Sequence, residues 1–377
     1  MRPVLPTLIL LAALAVPGAA PTQTTILSSP EALGRALFFD PDLSLNRTQS
    51  CASCHDPDHA FSDPRGAAST GDDGISLGDR NAPTALYAAL IPPFGRDTEG
   101  HWAGGQFHDG RAATLEDQAA GPPLNPIEMG MPDRAAVVAR LRANPEYAAA
   151  FPALFGAGVL DDPDTGYAAL TRAIAAYERT PELAPFDSRY DRFLRGEIEL
   201  TAEEELGRVL FFSQQFTNCA LCHQFGTRAM DPAETFTNHR YFNIGTPENT
   251  DLRAVNGASG LDAGLQQNPA VAGDPSTRGQ FRVPTLRNVA VTGPYMHNGV
   301  FRELRTVILF YNSNNTRNPQ RHINPETGAP FDPPPVPETL AMEELTHGPA
   351  LNDQRIDALV AFLRTLTDAR YEPLLDP

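Results

Sequence analysis

Two five-residue runs, Cys51-Ala-Ser-Cys54-His55 and Cys219-Ala-Leu-Cys222-His223, constrain this chain more than anything else in it. Two thiols three residues apart can add to the two vinyl groups of one haem. The histidine that follows then lies beneath the iron as its proximal ligand. These runs use all four cysteines of the chain, so no pair is left for the disulfides usual in an exported protein. Zinc would need two further ligands at matching spacing, and a redox dithiol does not need the histidine. The chain is therefore expected to wrap two covalently bound haems, with His55 and His223 as iron ligands.

The runs sit in a diverged internal duplication. The segment EALGRALFF at 31–39 recurs as EELGRVLFF at 204–212, each ahead of a CxxCH run. Downstream, Ala82-Pro83-Thr84 is echoed by Val283-Pro284-Thr285, and His108-Asp109-Gly110 by His297-Asn298-Gly299. Four landmarks in one order predict two cytochrome-c-like units, placed at 21–200 and 201–377, in a mainly α, loop-rich fold. The ExLGRxLFF segments have apolar residues at helical spacing, with a glycine that permits close approach to another helix. Further helices are expected at about 133–155, 167–179 and 353–367. With 36 prolines and 29 glycines, long loops should separate them.

Residues 1–20 have a basic start at Arg2, an apolar run over 8–16 and a small-residue end, the pattern of a cleavable secretory signal. Export to the periplasm is the expectation, and no other stretch is long and apolar enough to span a membrane. The formal charge of −17 disfavours nucleic acid and suits a partner with a basic docking patch, although charge alone reads first as solubility.

The sixth iron ligands decide whether such haems pass electrons or bind peroxide. Fourteen residues after His297 stands Tyr311; fourteen after His108 stands Pro122, which cannot ligate. If the units superpose, the second haem is capped by tyrosine and the first is open.

The motifs RNAPT (80–84), FHDGR (107–111), GPPLNPIEMG (121–130), VPTLRN (283–288) and GPYMHNG (293–299), with the CxxCH runs and their lead-ins, resemble the bacterial di-haem cytochrome c peroxidase and MauG family. The resemblance covers nearly all of the chain after the signal. It implies two all-α cytochrome-c-like domains, a peroxide-reactive haem in the first, and a calcium ion at their interface. It assigns Glu128 as the distal acid that takes a proton from peroxide and returns it to the departing oxygen. Gln118 and Pro122 match other residues of that distal pocket. Asn81, Thr292 and Pro294 match the calcium ligands, oxygen donors suited to a hard cation.

Tyr311 resembles the MauG branch, where ordinary peroxidases carry methionine; Met296 and Met230 do not stand at the matching position. The loop 66–80 contains no histidine, which implies a first haem open without activation. One departure is His108, where the family's FWDGR has a tryptophan relaying electrons between haems. His108 reads either as a relay or as a structural hydrogen-bonding residue, and the only tryptophan, Trp102, would have to reach the gap by another loop path. The leading expectation is a peroxide-using oxidase of a partner protein. The alternatives are a peroxidase drawing electrons from a small cytochrome or cupredoxin, and a non-catalytic carrier.

Overall fold

The computed structural model describes residues 27–375 apart from 227–229 and 272. The expected signal at 1–20 falls outside them. The chain begins with α1 (Pro30–Phe38), started by Ser29, whose hydroxyl accepts from the Ala32 amide at 3.2 Å. The first CxxC forms one helical turn, α2 (Cys51–Cys54). After a long loop come α3 (Leu115–Ala119), α4 (Arg134–Ala143), α5 (Pro145–Phe155) and α6 (Pro163–Glu178). The single helix expected at 133–155 is thus two. Asn144 leaves helical geometry, and its side chain caps the next helix, which starts at Pro145. The helix expected from 167 begins a turn earlier, at Pro163, because Asp162 caps it there.

The second half repeats the plan after α7 (Arg189–Leu194). Helix α8 (Ala202–Phe212) opens on a capping box between Thr201 and Glu204. The second CxxC is α9 (Cys219–Cys222), followed by α10 (Thr250–Asn256), α11 (Leu304–Ser313), α12 (Met342–Leu345) and α13 (Asp353–Arg364). Strand is confined, among the described residues, to two tiny antiparallel pairs. These are β1 (Gly95–Arg96) with β2 (Trp102–Ala103) and β3 (Tyr241–Phe242) with β4 (Phe281–Arg282). No helix among the described residues is long and apolar enough to cross a membrane.

The duplicated glycines explain the packing. Helix α1 crosses α6, and α8 crosses α13. A Cβ on Gly34 would lie 1.8 Å from the Ala173 carbonyl oxygen, and one on Gly207 would lie 1.9 Å from that of Ala358. Only glycine allows backbones to meet this closely. Leu33, Leu37 and Phe38 enter one apolar core with Val137, Phe151, Leu170 and Tyr177. Leu210 and Phe211 enter a second with Tyr190, Phe236, Leu359 and Phe362.

The landmark threonines also repeat: Thr84 Oγ1 donates to the Ala60 carbonyl at 2.6 Å, and Thr285 Oγ1 to that of Thr235 at 2.7 Å. Three residues on, Tyr87 and Asn288 both take left-handed backbone, each with φ +62°. Their side chains converge on one acid, Tyr87 Oη donating to Asp368 Oδ1 at 2.7 Å and Asn288 Nδ2 to Oδ2 at 2.6 Å. The two halves are latched at corresponding positions. The tail after α13 then returns to the first core, where Tyr371 is buried and donates to the Pro57 carbonyl at 3.1 Å.

Candidate active site

Each CxxCH run borders a large cavity. The first, about 540 Å³, is lined by Cys51, Cys54 and His55 and, opposite in sequence, by Gln118, Pro122 and Glu128. The second, about 290 Å³, is lined by Cys219, Cys222, His223 and Tyr311. Pro122 and Tyr311, equivalent by count from the duplicated landmark, therefore each face the cavity of their own unit.

The two histidines are fixed in the same way. His55 Nδ1 lies 3.2 Å from the Phe61 carbonyl, and His223 Nδ1 lies 3.1 Å from that of Phe236. Phe61 and Phe236 both take left-handed backbone, which turns these carbonyls toward the rings. A ring whose Nδ1–H donates to a carbonyl keeps Nε2 as the basic nitrogen, the atom a metal takes. Burial lowers the pKa of both rings, that of His223 to about 4. Neutral imidazole is the form that ligates.

The first cavity holds a carboxyl with its pKa raised. Burial pushes Glu128 up, against the pull of the Arg111 charge and of Asn125, whose amide donates to Glu128 Oε1 at 2.9 Å. Asn125 sits where the chain turns out of Pro122–Leu124, and its carbonyl accepts from the Glu128 amide at 3.0 Å. The loop thus closes on its own acid. In the second cavity burial raises the Tyr311 phenol, with Cys222 and Cys219 adding to it. Met296 lines this cavity as well, whereas Met230 is exposed.

Asn81 and His108 line both cavities and so lie between them. His108 Nε2 is 2.9 Å from the Asn81 carbonyl, to which it donates. Burial lowers its pKa to about 4, with Arg80 and Arg282 adding to the effect. Thr292 and Pro294 join Asn81 in lining the second cavity. Trp102 lines neither cavity: it stacks on Phe94 at 5.1 Å under the Arg96 guanidinium. The alternative loop path for tryptophan is not taken.

Three buried groups escaped the sequence reading. Glu178 lines the first cavity with its Oε2 unpartnered, and burial pushes its pKa up to about 8. It occupies the apolar stripe of α6 four residues after Ile174, a signal that helical spacing offered. His239 and Arg282 line the second cavity, and Arg282 also lines the first. Loop positions carry no periodicity to expose them. The apolar walls, the oriented imidazoles beside paired thiols, and unpartnered buried polar atoms in each cavity fit a haem, an apolar macrocycle with carboxylate arms.

The family model described as di-haem cytochrome c peroxidase matches residues 28–199. The methylamine utilization protein MauG of Paracoccus denitrificans is 56% identical over 352 residues, covering 92% of this chain and 90% of that protein. The cytochrome c peroxidase Ccp of Escherichia coli is 36% identical over 272 residues, 71% of this chain and 50% of that one. Among solved structures, the di-haem peroxidase BthA of Burkholderia thailandensis superposes with a TM-score of 0.77 at 34% identity, covering 94% of this chain and 90% of its own.

Proposed function

From the premise that this chain belongs to the di-haem cytochrome c peroxidase and MauG family, haem-dependent oxidoreductases acting on peroxide, we propose that it is a periplasmic oxidase that uses peroxide to oxidise a partner protein. The observation that carries this reading is the asymmetry of the cavities. A half-buried acid, Glu128, stands in the cavity of His55, and a phenol, Tyr311, in that of His223. Identity of 56% to a methylamine utilization protein supports a partner from that process. The net charge of −17 suits a basic docking face on it.

When bound, the haems would supply the iron that takes up peroxide and the capacity to hold oxidising equivalents. Cys51 and Cys54 would anchor the first haem and Cys219 and Cys222 the second, with His55 and His223 as proximal ligands through Nε2. Tyr311 would be the second haem's further ligand. Reduction of one peroxide to two waters takes two electrons and two protons, which the partner's oxidised residue gives up.

Glu128 takes a proton from the near peroxide oxygen and delivers it to the far one as that oxygen departs. Its raised pKa suits both halves of the task, and Asn125 keeps Oε1 in place. Gln118 and Pro122 shape the same wall, Pro122 offering no ligating atom. His108, neutral and tied to Asn81, acts as a structural spacer between the haems. Asn81, with the carbonyls of Thr292 and Pro294, would hold a calcium ion. These are neutral oxygen donors, and no cluster of three or more His, Cys, Asp or Glu residues that could hold a metal occurs among the described residues.

Similarity to the E. coli peroxidase supports a second reading, peroxide reduction with electrons from a small cytochrome or copper protein. Steady-state turnover with a reduced donor separates the two. Slow turnover alongside peroxide-dependent oxidation of a methylamine utilization protein is the expected result; rapid turnover on the donor alone would overturn the first reading.

A further inference from the structure

Two arginines are buried among the described residues, and they are treated differently. Arg287 is paired in bidentate fashion with Asp191, at 2.7 and 3.0 Å. Arg282 has no carboxylate partner among the described residues. Among the described residues its guanidinium makes only long hydrogen bonds, of 3.4 Å to the carbonyls of Phe107 and Val283. A buried guanidinium without a counter-ion is costly, and proteins avoid it by pairing. Arg282 lines both cavities, so whatever anion completes it comes from there.

His239 presents the same deficit. It is 2% exposed, lines the second cavity, and has a partner for neither Nδ1 nor Nε2. Its backbone is held at φ +57°, in the left-handed region. The amide donates to Thr237 Oγ1 at 2.9 Å, and the carbonyl accepts from Gly104 at 3.0 Å. Phe225 packs edge-on against the ring at 5.5 Å. These contacts anchor the ring in the wall of the second cavity. Burial and the nearby Arg282 charge keep the ring neutral, so one nitrogen offers an N–H.

We propose that Arg282 and His239 form the carboxylate seat of the haem pair: His239 donates to a propionate of the second haem, and Arg282 neutralises propionates of both. This rests on the di-haem reading. Position 282 corresponds to Asn81 of the first unit by count from the duplicated threonines. Arg282 reaches both cavities, so the inequality between the two haems comes from His239, which lines the second alone. A cation or hydrogen-bond donor at a propionate favours the reduced iron, because it offsets negative charge nearby. The seat therefore helps set the two potentials as well as holding the cofactors.

The test is a redox titration of the holoprotein followed by electron paramagnetic resonance, which resolves haems of different spin state, with covalent haem content measured on the same samples. The His239→Leu variant should retain two haems and show a lower midpoint potential at the second haem, with the first unmoved. His239→Gln, which restores a donor, should return the wild-type value. Arg282→Leu should lower both potentials, and Arg282→Lys should restore part of the shift. Wild-type protein with fewer than two haems would refute the di-haem reading itself. Two haems with an unchanged second potential in His239→Leu, or equal shifts at both haems in that variant, would overturn the seat.

Discussion

The amide of Asn125 donates to Oε1 of Glu128 at 2.9 Å while the Asn125 carbonyl accepts from the Glu128 amide at 3.0 Å. Side chain and backbone thus fix the acid within one turn of chain. Substituting Glu128→Gln keeps the shape and removes the proton acceptor. Peroxide-dependent oxidation should fall about 10²- to 10⁴-fold, the usual worth of a general acid–base group, with both haems still attached. Stopped-flow reaction of the diferric protein with peroxide measures it, and a rate within a factor of two of wild type would remove Glu128 from the mechanism.

Asn125 itself gives a pH signature. It lowers the Glu128 pKa against the dominant effect of burial, so Asn125→Leu should raise that pKa further. The ionised form then persists only at higher pH, and the acidic limb of the rate profile should move upward. A profile that stays in place, or moves toward acid, contradicts the assigned bond.

Tyr311→Met should change the absorption and magnetic resonance spectra of the second haem while leaving the first untouched, since Tyr311 lines the cavity of His223 alone. Met296 lines the same cavity, so Met296→Leu is the control. Spectra that respond to Met296→Leu and ignore Tyr311→Met would reverse the ligand assignment.

Glu178 ties stability to pH. Its folded pKa is pushed up to about 8 by burial, against an ordinary value near 4.5 in the unfolded chain. The folded state holds the proton across that interval and the unfolded state does not. Stability is therefore greatest below about pH 4.5 for this group and is lost as pH rises toward 8, by on the order of a few kcal/mol. Glu178→Gln should flatten that slope in denaturation curves taken from pH 5 to 8. An unaltered slope would show that the carboxyl is ionised or solvated.

Gly34→Ala and Gly207→Ala should each destabilise by about 1–3 kcal/mol, although glycine-to-alanine changes inside helices ordinarily stabilise by about 1 kcal/mol. The added carbon would meet backbone oxygens of Ala173 and Ala358, which cannot swing aside. Urea denaturation of the holoprotein reads the sign directly.

Removal of the proposed calcium ion with a chelator should perturb the spectra of both haems, because Asn81 lines both cavities and Thr292 and Pro294 the second. Added calcium should restore them. Spectra indifferent to chelator, in protein shown by elemental analysis to be calcium-free, would exclude the ion.

What the sequence disclosed was what repeats. The paired CxxCH runs, the glycine in each lead-in helix and the landmark threonines recur as local motifs, and the structure uses each pair in the same geometric way. The break at Asn144 escaped because the apolar spacing of α4 continues into α5, and capping chemistry overrode it. Glu178 was legible as an acid on an apolar stripe. His239 and Arg282 were not, since their meaning lies in partners they lack, and a missing partner leaves no mark in a linear pattern.

The return of Tyr371 to the first core has a consequence for how the protein is made. Its hydroxyl reaches the carbonyl of Pro57 across 314 residues of chain, two positions beyond His55. The unit translated first thus receives one of its packing groups after the second unit has been synthesised. Until then the first core lacks one of its aromatic side chains, so the packing of the earlier unit is completed only by the last stretch of chain to arrive.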